Sequence, residues 1–187
     1  MIYLVGGAPR AGKSVLGQRV AARLNIGWAA TDALRSVLKE EGASDWDASP
    51  RAIAATAEWF FPHLSRFVGG MSSLAEHYLI EGVHFLPKQV AELSRQFDVR
   101  SVFVGCSALT LEQFDSFPGR SPGYAGLPLA MKQRIVGDLP GWSEFVAREA
   151  ASFGYAYVDT SGDFATRLAE AERSLMQGSG SGHSAPA

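Results

Sequence analysis

The chain has 187 residues, enough for one well-packed domain and too few for two full ones. Its 47% hydrophobic and 19% charged content excludes a globally disordered polymer, and a formal net charge of -2 gives no basic excess that would make nucleic acid the main partner. Cys106 is the single cysteine, so no intramolecular disulfide or all-cysteine zinc site can form, which fits a reducing cytoplasm.

Ile2 to Val5 is a short apolar run ended by Gly6 and Gly7, the pattern of a buried parallel strand. It has no positive n-region and no cleavable apolar segment, and no run in the chain approaches the ~20 apolar residues of a membrane span. From Ser14 to Leu24, Leu16, Val20 and Leu24 recur every four residues among Gln18, Arg19 and Arg23, which predicts an amphipathic helix. Ile26 to Ala30 reads as a second strand. Asp32 then suits the N-cap of a helix carrying Leu34, Val37 and Leu38, with Gly42 as its stop. Ser49-Pro50 opens a helical stretch to about His77 that Pro62 should break or kink. It holds the aromatics Trp59, Phe60, Phe61 and Phe67, and with Trp46 just before it most of them are expected to form the core of a helical insertion, with one or two available to line an acceptor pocket for a flat or apolar small molecule.

His77 to Glu81 is a third predicted strand, Pro87 to Phe97 a helix and Val99 to Gly105 a fourth strand. Thr110 to Gly126 is punctuated by Pro118, Gly119, Pro122 and Gly123 and reads as loop. Helical pattern resumes over Leu127 to Gly154 with an expected interruption at Gly137 to Gly141. Tyr155 to Asp159 is the last strand and Asp163 to Gln177 the last helix; 178–187 reads as a disordered tail. Strands alternating with helices predict an α/β protein whose parallel sheet is covered on both faces.

The segment Gly7-Ala8-Pro9-Arg10-Ala11-Gly12-Lys13-Ser14 satisfies G-x-x-x-x-G-K-[ST] at every fixed position, with Val15 continuing into the helix. The mechanics are specific. A strand delivers the chain to a loop whose glycines let backbone N–H groups curl around phosphates, and the helix adds its positive end. Lys13 is then expected on the β- and γ-phosphates of ATP and the Ser14 hydroxyl on Mg²⁺.

With that loop in place the chain resembles the P-loop kinases of small molecules, the group of adenylate, shikimate and gluconate kinases. Thr31-Asp32-Ala33-Leu34-Arg35 is similar to the Thr-Gly-Asp-x-Leu-Arg segment of adenylate kinases, one residue shorter. There the Thr and Arg contact the acceptor, which implies Thr31 and Arg35 here. Glu81-Gly82-Val83-His84-Phe85-Leu86-Pro87 is similar to the Glu-Gly-Val-His-x-x-Pro stretch of 2-phosphoglycerate kinases, which are much longer proteins. The missing glycine, and the lack of an Arg-rich lid signature, argue against a standard nucleoside monophosphate kinase. The resemblance implies a three-layer fold over residues 1–177 with a five-stranded parallel sheet in the order 2-3-1-4-5. It also implies a helical acceptor-binding insertion over about 32–76 and a lid over about 108–135.

Such a kinase needs a carboxylate at the acceptor hydroxyl or on the metal, since transfer is mostly positioning and charge neutralisation. Asp32 follows the second predicted strand and Glu81 ends the third, on the side where open α/β sheets bind ligands. His84 is a candidate for the acceptor site, and His63 and His77 have no companions that would make them ligands. Asp159-Thr160-Ser161 falls where relatives hold the base and equally suits a turn before the last helix. Arg120, Lys132 and Arg134 are the candidate lid cations and Arg10 a further one inside the loop. The expected activity is ATP- and Mg²⁺-dependent phosphoryl transfer to a hydroxyl or phosphate of a small molecule. A nucleotide-binding regulatory or accessory module with little turnover is the alternative, and an inactivating phosphotransferase is not distinguished from a metabolic one. A switch-type NTPase is disfavoured because the base-reading Asn-Lys-x-Asp is absent. No membrane partner is expected, and the sequence leaves monomer and homodimer open.

Overall fold

The computed structural model describes residues 1–38, 50–116 and 126–178. Five strands, β1 (Ile2–Gly7), β2 (Gly27–Ala30), β3 (Tyr78–Glu81), β4 (Val99–Gly105) and β5 (Ala156–Asp159), form one sheet in the order 2-3-1-4-5. All four pairings are parallel. Strand β1 lies in the middle and all six of its residues are buried, which is why its sequence is continuously apolar rather than alternating. Edge strand β2 carries the half-exposed Trp28 instead.

Helices α1 (Lys13–Leu24) and α7 (Phe164–Gln177) cover one face; α3 (Pro50–Leu74), α4 (Pro87–Leu93) and α6 (Leu129–Ser152) cover the other. The two short helices are α2 (Thr31–Leu38) and α5 (Leu111–Ser116). The first layer is tied by Glu172 of α7, almost wholly buried, whose carboxylate meets Arg19 Nε at 2.6 Å and Arg23 at 2.8 Å on α1.

Two expected helix breaks are absent. Pro62 lies inside an unbroken α3, and α6 runs through Gly137, Pro140 and Gly141. The reason is packing. Ile53, Ala57, Phe60, Leu64 and Val68 make one buried stripe along α3, and Ile135, Leu139, Trp142, Val146 and Ala150 make one of the same spacing along α6. An interior proline costs about 3 kcal/mol. Each large buried side chain returns about 1.5–3 kcal/mol, so the stripe outweighs the proline.

Three boundaries also move. Helix α4 ends at Leu93 rather than Phe97, with turn-type bonds carrying the chain on to β4. Helix α2 starts at Thr31, so Asp32 stands in its first turn and is not its N-cap. Within the stretch read as loop, Leu111–Ser116 is helical; Thr110 and Gln113 cap it reciprocally, Gln113 N–H donating to Thr110 Oγ1 at 3.1 Å and Thr110 N–H to Gln113 Oε1 at 2.9 Å. Asp163 does cap α7, accepting from Ala165 N–H. The readings placed on Gly42, Trp46, Pro118, Gly119, Arg120, Pro122, Gly123 and 179–187 lie outside the described residues.

Candidate active site

The five strands end together at Gly7, Ala30, Glu81, Gly105 and Asp159, and the candidate residues gather along that edge. Between β1 and α1 the loop turns through two backbone conformations that favour glycine, Gly7 at φ +129° and Gly12 at φ +85°, with Arg10 at 62° between them. A Cβ on Gly7 would stand 1.9 Å from the Val104 carbonyl oxygen, so only glycine lets the loop leave the sheet this closely. The loop is anchored from below. Thr160, at the end of β5, donates its hydroxyl to Ala11 O (3.2 Å) and Gly105 O (2.8 Å), and Ala8 N–H donates to Val104 O at 2.8 Å. Ala8 and Ala11 are buried, and the Phe164 ring lies against Gly12.

Lys13 is buried and its Nζ donates to Ala8 O at 2.6 Å. Burial pulls its pKa down to about 8, against the attraction of Glu81 and Asp32, which favour the ammonium. Next to it Ser14 donates its hydroxyl to Glu81 Oε1 at 2.9 Å. Glu81 is itself 4% exposed; burial raises its pKa, the Lys13 charge and the Ser14 bond oppose that, and the Asp32 charge adds to it. Gly17 lets α1 come this close, since a Cβ there would sit 3.3 Å from Glu81 Cγ.

Beyond Glu81 a second set of contacts joins β3 to α2. Thr31, fully buried, lies 3.0 Å from His84 Nδ1, Arg35 lies 3.2 Å from His84 Nε2, and Asp32 Oδ1 stands 3.6 Å from Nδ1. Gly82 must be glycine here because its Cβ would fall 1.7 Å from Thr31 Oγ1. Asp32 itself is 76% exposed.

The structure thus brings Lys13, Ser14, Glu81, Asp32, Thr31, Arg35 and His84 to one edge. Arg10 turns elsewhere: its guanidinium lies 4.4 Å over the Phe114 ring and donates to Phe114 O at 3.1 Å, joining the loop to α5. Lys132 is paired with Asp115 at 2.6 Å, and Arg134 is half-exposed on α6 beside Asp138. The Asp159 carboxylate accepts from Ser161 N–H (2.8 Å) and Ser107 N–H (3.3 Å), while Ser161 Oγ accepts from Ala108 N–H. Burial works against the Asp159 charge, and the bonds from Ser107 and Ser161 outweigh it to hold the carboxyl below its ordinary value. That Thr160 pins the loop after β1 and that Phe114 receives Arg10 was not readable from the sequence, because both pairings span more than a hundred residues.

The sequence matches no protein-family model and no curated protein. Solved structures do resemble it. A shikimate kinase from Bacteroides thetaiotaomicron is 13% identical with TM-score 0.53, covering 94% of this chain and 96% of its own. A shikimate kinase from Acinetobacter baumannii in complex with shikimate is 16% identical with TM-score 0.53, covering 94% and 92%. A sugar kinase from Janibacter is 16% identical with TM-score 0.53, covering 94% of each. The strand order, the loop after β1 and these neighbours agree: the chain has the fold of the P-loop small-molecule kinases.

Proposed function

We propose that this chain is an ATP- and Mg²⁺-dependent phosphotransferase that moves the γ-phosphoryl group to a hydroxyl or phosphate of a small molecule. The observation that carries the reading is the Ser14–Glu81 hydrogen bond beside the buried Lys13, a hydroxyl, a carboxylate and an ammonium at the mouth of a glycine-bounded loop.

The residues fit the two groups. Of the three N–H donors on Lys13, Ala8 O takes one among the described residues, and the rest suit phosphate oxygens. Gly7, Ala8, Pro9, Arg10, Ala11, Gly12, Lys13, Ser14 and Val15 would hold the nucleotide, the backbone amides at the start of α1 facing its anionic end. Among the described residues no cluster of three or more His, Cys, Asp or Glu could hold a metal alone. Ser14, with Glu81 behind it, is the oxygen set expected for Mg²⁺, which usually takes its other ligands from phosphates and water. When bound, Mg²⁺ supplies neutralisation of phosphate charge.

In the transfer, a bond forms from the acceptor oxygen to the γ-phosphorus and the bond from that phosphorus to the oxygen of ADP breaks. The acceptor's proton leaves to a carboxylate, Glu81 or Asp32. Thr31, Asp32 and Arg35 would meet the acceptor, with the 32–76 segment around it and the 108–135 segment as a lid bringing Arg120 or Arg134 to the transferring group. The test is a panel of shikimate, sugars and sugar acids offered with ATP and Mg²⁺, scored by mass for one added phosphoryl group. ATP binding with neither ATP consumption nor any phosphorylated product across the panel would favour the accessory-module reading.

A further inference from the structure

His84 is 3% exposed, and both ring nitrogens face partners that define its state. Arg35 Nη1 stands 3.2 Å from Nε2, and a guanidinium can only donate, so Nε2 accepts. The ring proton therefore sits on Nδ1, where Thr31 Oγ1 accepts it at 3.0 Å and the Asp32 carboxylate lies nearby, Oδ1 at 3.6 Å. The Phe60 ring packs against the imidazole at a steep angle, 5.9 Å away between centroids. Neither nitrogen is in a position to exchange a proton with a substrate. The imidazole joins the end of β3 to the guanidinium of α2 and holds that side chain against a buried wall.

We propose that His84 is a positioning residue for phosphoryl transfer: with its proton on Nδ1, it uses Nε2 to fix the Arg35 guanidinium at the acceptor end of the site. The proposal rests on the kinase reading above. It reassigns His84, expected from the sequence to touch the acceptor, to one step behind it. A long flexible cation loses side-chain freedom when it binds an anion, and an imidazole that already holds one of its nitrogens removes part of that cost before the acceptor arrives.

The first test needs no acceptor. Nitrogen-15 spectra of the histidine rings, recorded at a pH above the ordinary imidazole range, should show one ring in the Nδ1–H tautomer, absent from His84→Gln. In Arg35→Met the ring should move toward the Nε2–H form. A His84 ring in the Nε2–H form in the unmodified protein, or an Arg35→Met spectrum identical to it, overturns the proposal. The second test uses whichever acceptor of the panel is phosphorylated. His84→Leu should raise the acceptor KM about tenfold or more with a much smaller change in kcat, while His84→Gln, whose amide oxygen can still accept from Arg35, should keep most of the affinity. Equal KM values for the two variants, or a loss confined to kcat, overturn it. Should His84→Leu fail to fold, Arg35→Met takes its place in this comparison. If the unmodified protein phosphorylates nothing, the proposed function fails, and the tautomer measurement still decides whether His84 holds Arg35.

Discussion

Ser14 and Glu81 are 67 residues apart in sequence and joined by a 2.9 Å hydrogen bond from hydroxyl to carboxylate. Glu81 is the last residue of β3, paired in register with Val5 of β1 and Ala30 of β2, so three strands fix its backbone while α1 delivers Ser14 to it. A carboxylate buried at a strand end needs such a partner, and here the partner is the Ser14 hydroxyl at the start of α1.

Glu81→Gln keeps the shape and removes the charge. With Glu81 as base or metal support, kcat should fall ~10²-fold or more with a smaller change in ATP affinity. Steady-state kinetics with the identified acceptor decide it; an unchanged kcat makes Glu81 structural and moves the proton to Asp32, tested by Asp32→Asn.

Gly82→Ala should damage folding and the acceptor end together. The added methyl would fall 1.7 Å from the hydroxyl oxygen of buried Thr31, against two elements that cannot part without disturbing His84. A loss of about 1–3 kcal/mol in denaturant unfolding is expected. A variant as stable as the parent would mean that α2 and β3 are not packed as described.

Acid should weaken the protein partly through Asp159. Its folded pKa lies below the ordinary value of 3.8, so its contribution is whole above that pH and is lost as the pH falls through the folded value. The unfolded state takes the proton first, which is why stability declines in that window. Asp159→Asn should be less stable at neutral pH and show a shallower decline on acidification, read from unfolding midpoints at several pH values. Parallel profiles for the two proteins would contradict it.

The two proposed lid cations should separate. Arg134 is half-exposed on α6, so Arg134→Ala should cost little stability; if its cation reaches the transferring group, kcat drops ~10²-fold. Arg120→Ala is the paired measurement, and the residue that stays at parental kcat is the one that does not reach. Parental kcat in both variants removes this segment from the mechanism.

What the sequence made legible was local or carried by a motif. The β1–loop–α1 unit follows from an apolar run, glycines at fixed positions and four-residue periodicity, and the sheet order came with the resemblance. The unbroken courses of α3 and α6 were not legible, because Pro62 and Pro140 speak locally for a break while the buried stripes that override them depend on the sheet beneath. Helix α5 did carry a signal, the Thr110-x-x-Gln113 capping pair, hidden among the prolines and glycines that follow. The reach of Glu81 to Ser14 and of His84 to Arg35 and Thr31 could not be seen, since one-dimensional spacing does not say which strand ends meet.

The central claim is that the loop from Gly7 to Ser14 holds ATP for transfer and that Lys13 neutralises the phosphates. The most direct measurement compares the parent and Lys13→Ala side by side, counting ATP consumed and phosphorylated acceptor formed, with thermal unfolding of both. The account predicts one product phosphate per ATP in the parent, a fall of ~10²-fold or more in Lys13→Ala, and a protein that still folds, since the lysine follows the loop and is not part of the sheet core. Parental rates of transfer in a folded Lys13→Ala protein would contradict it.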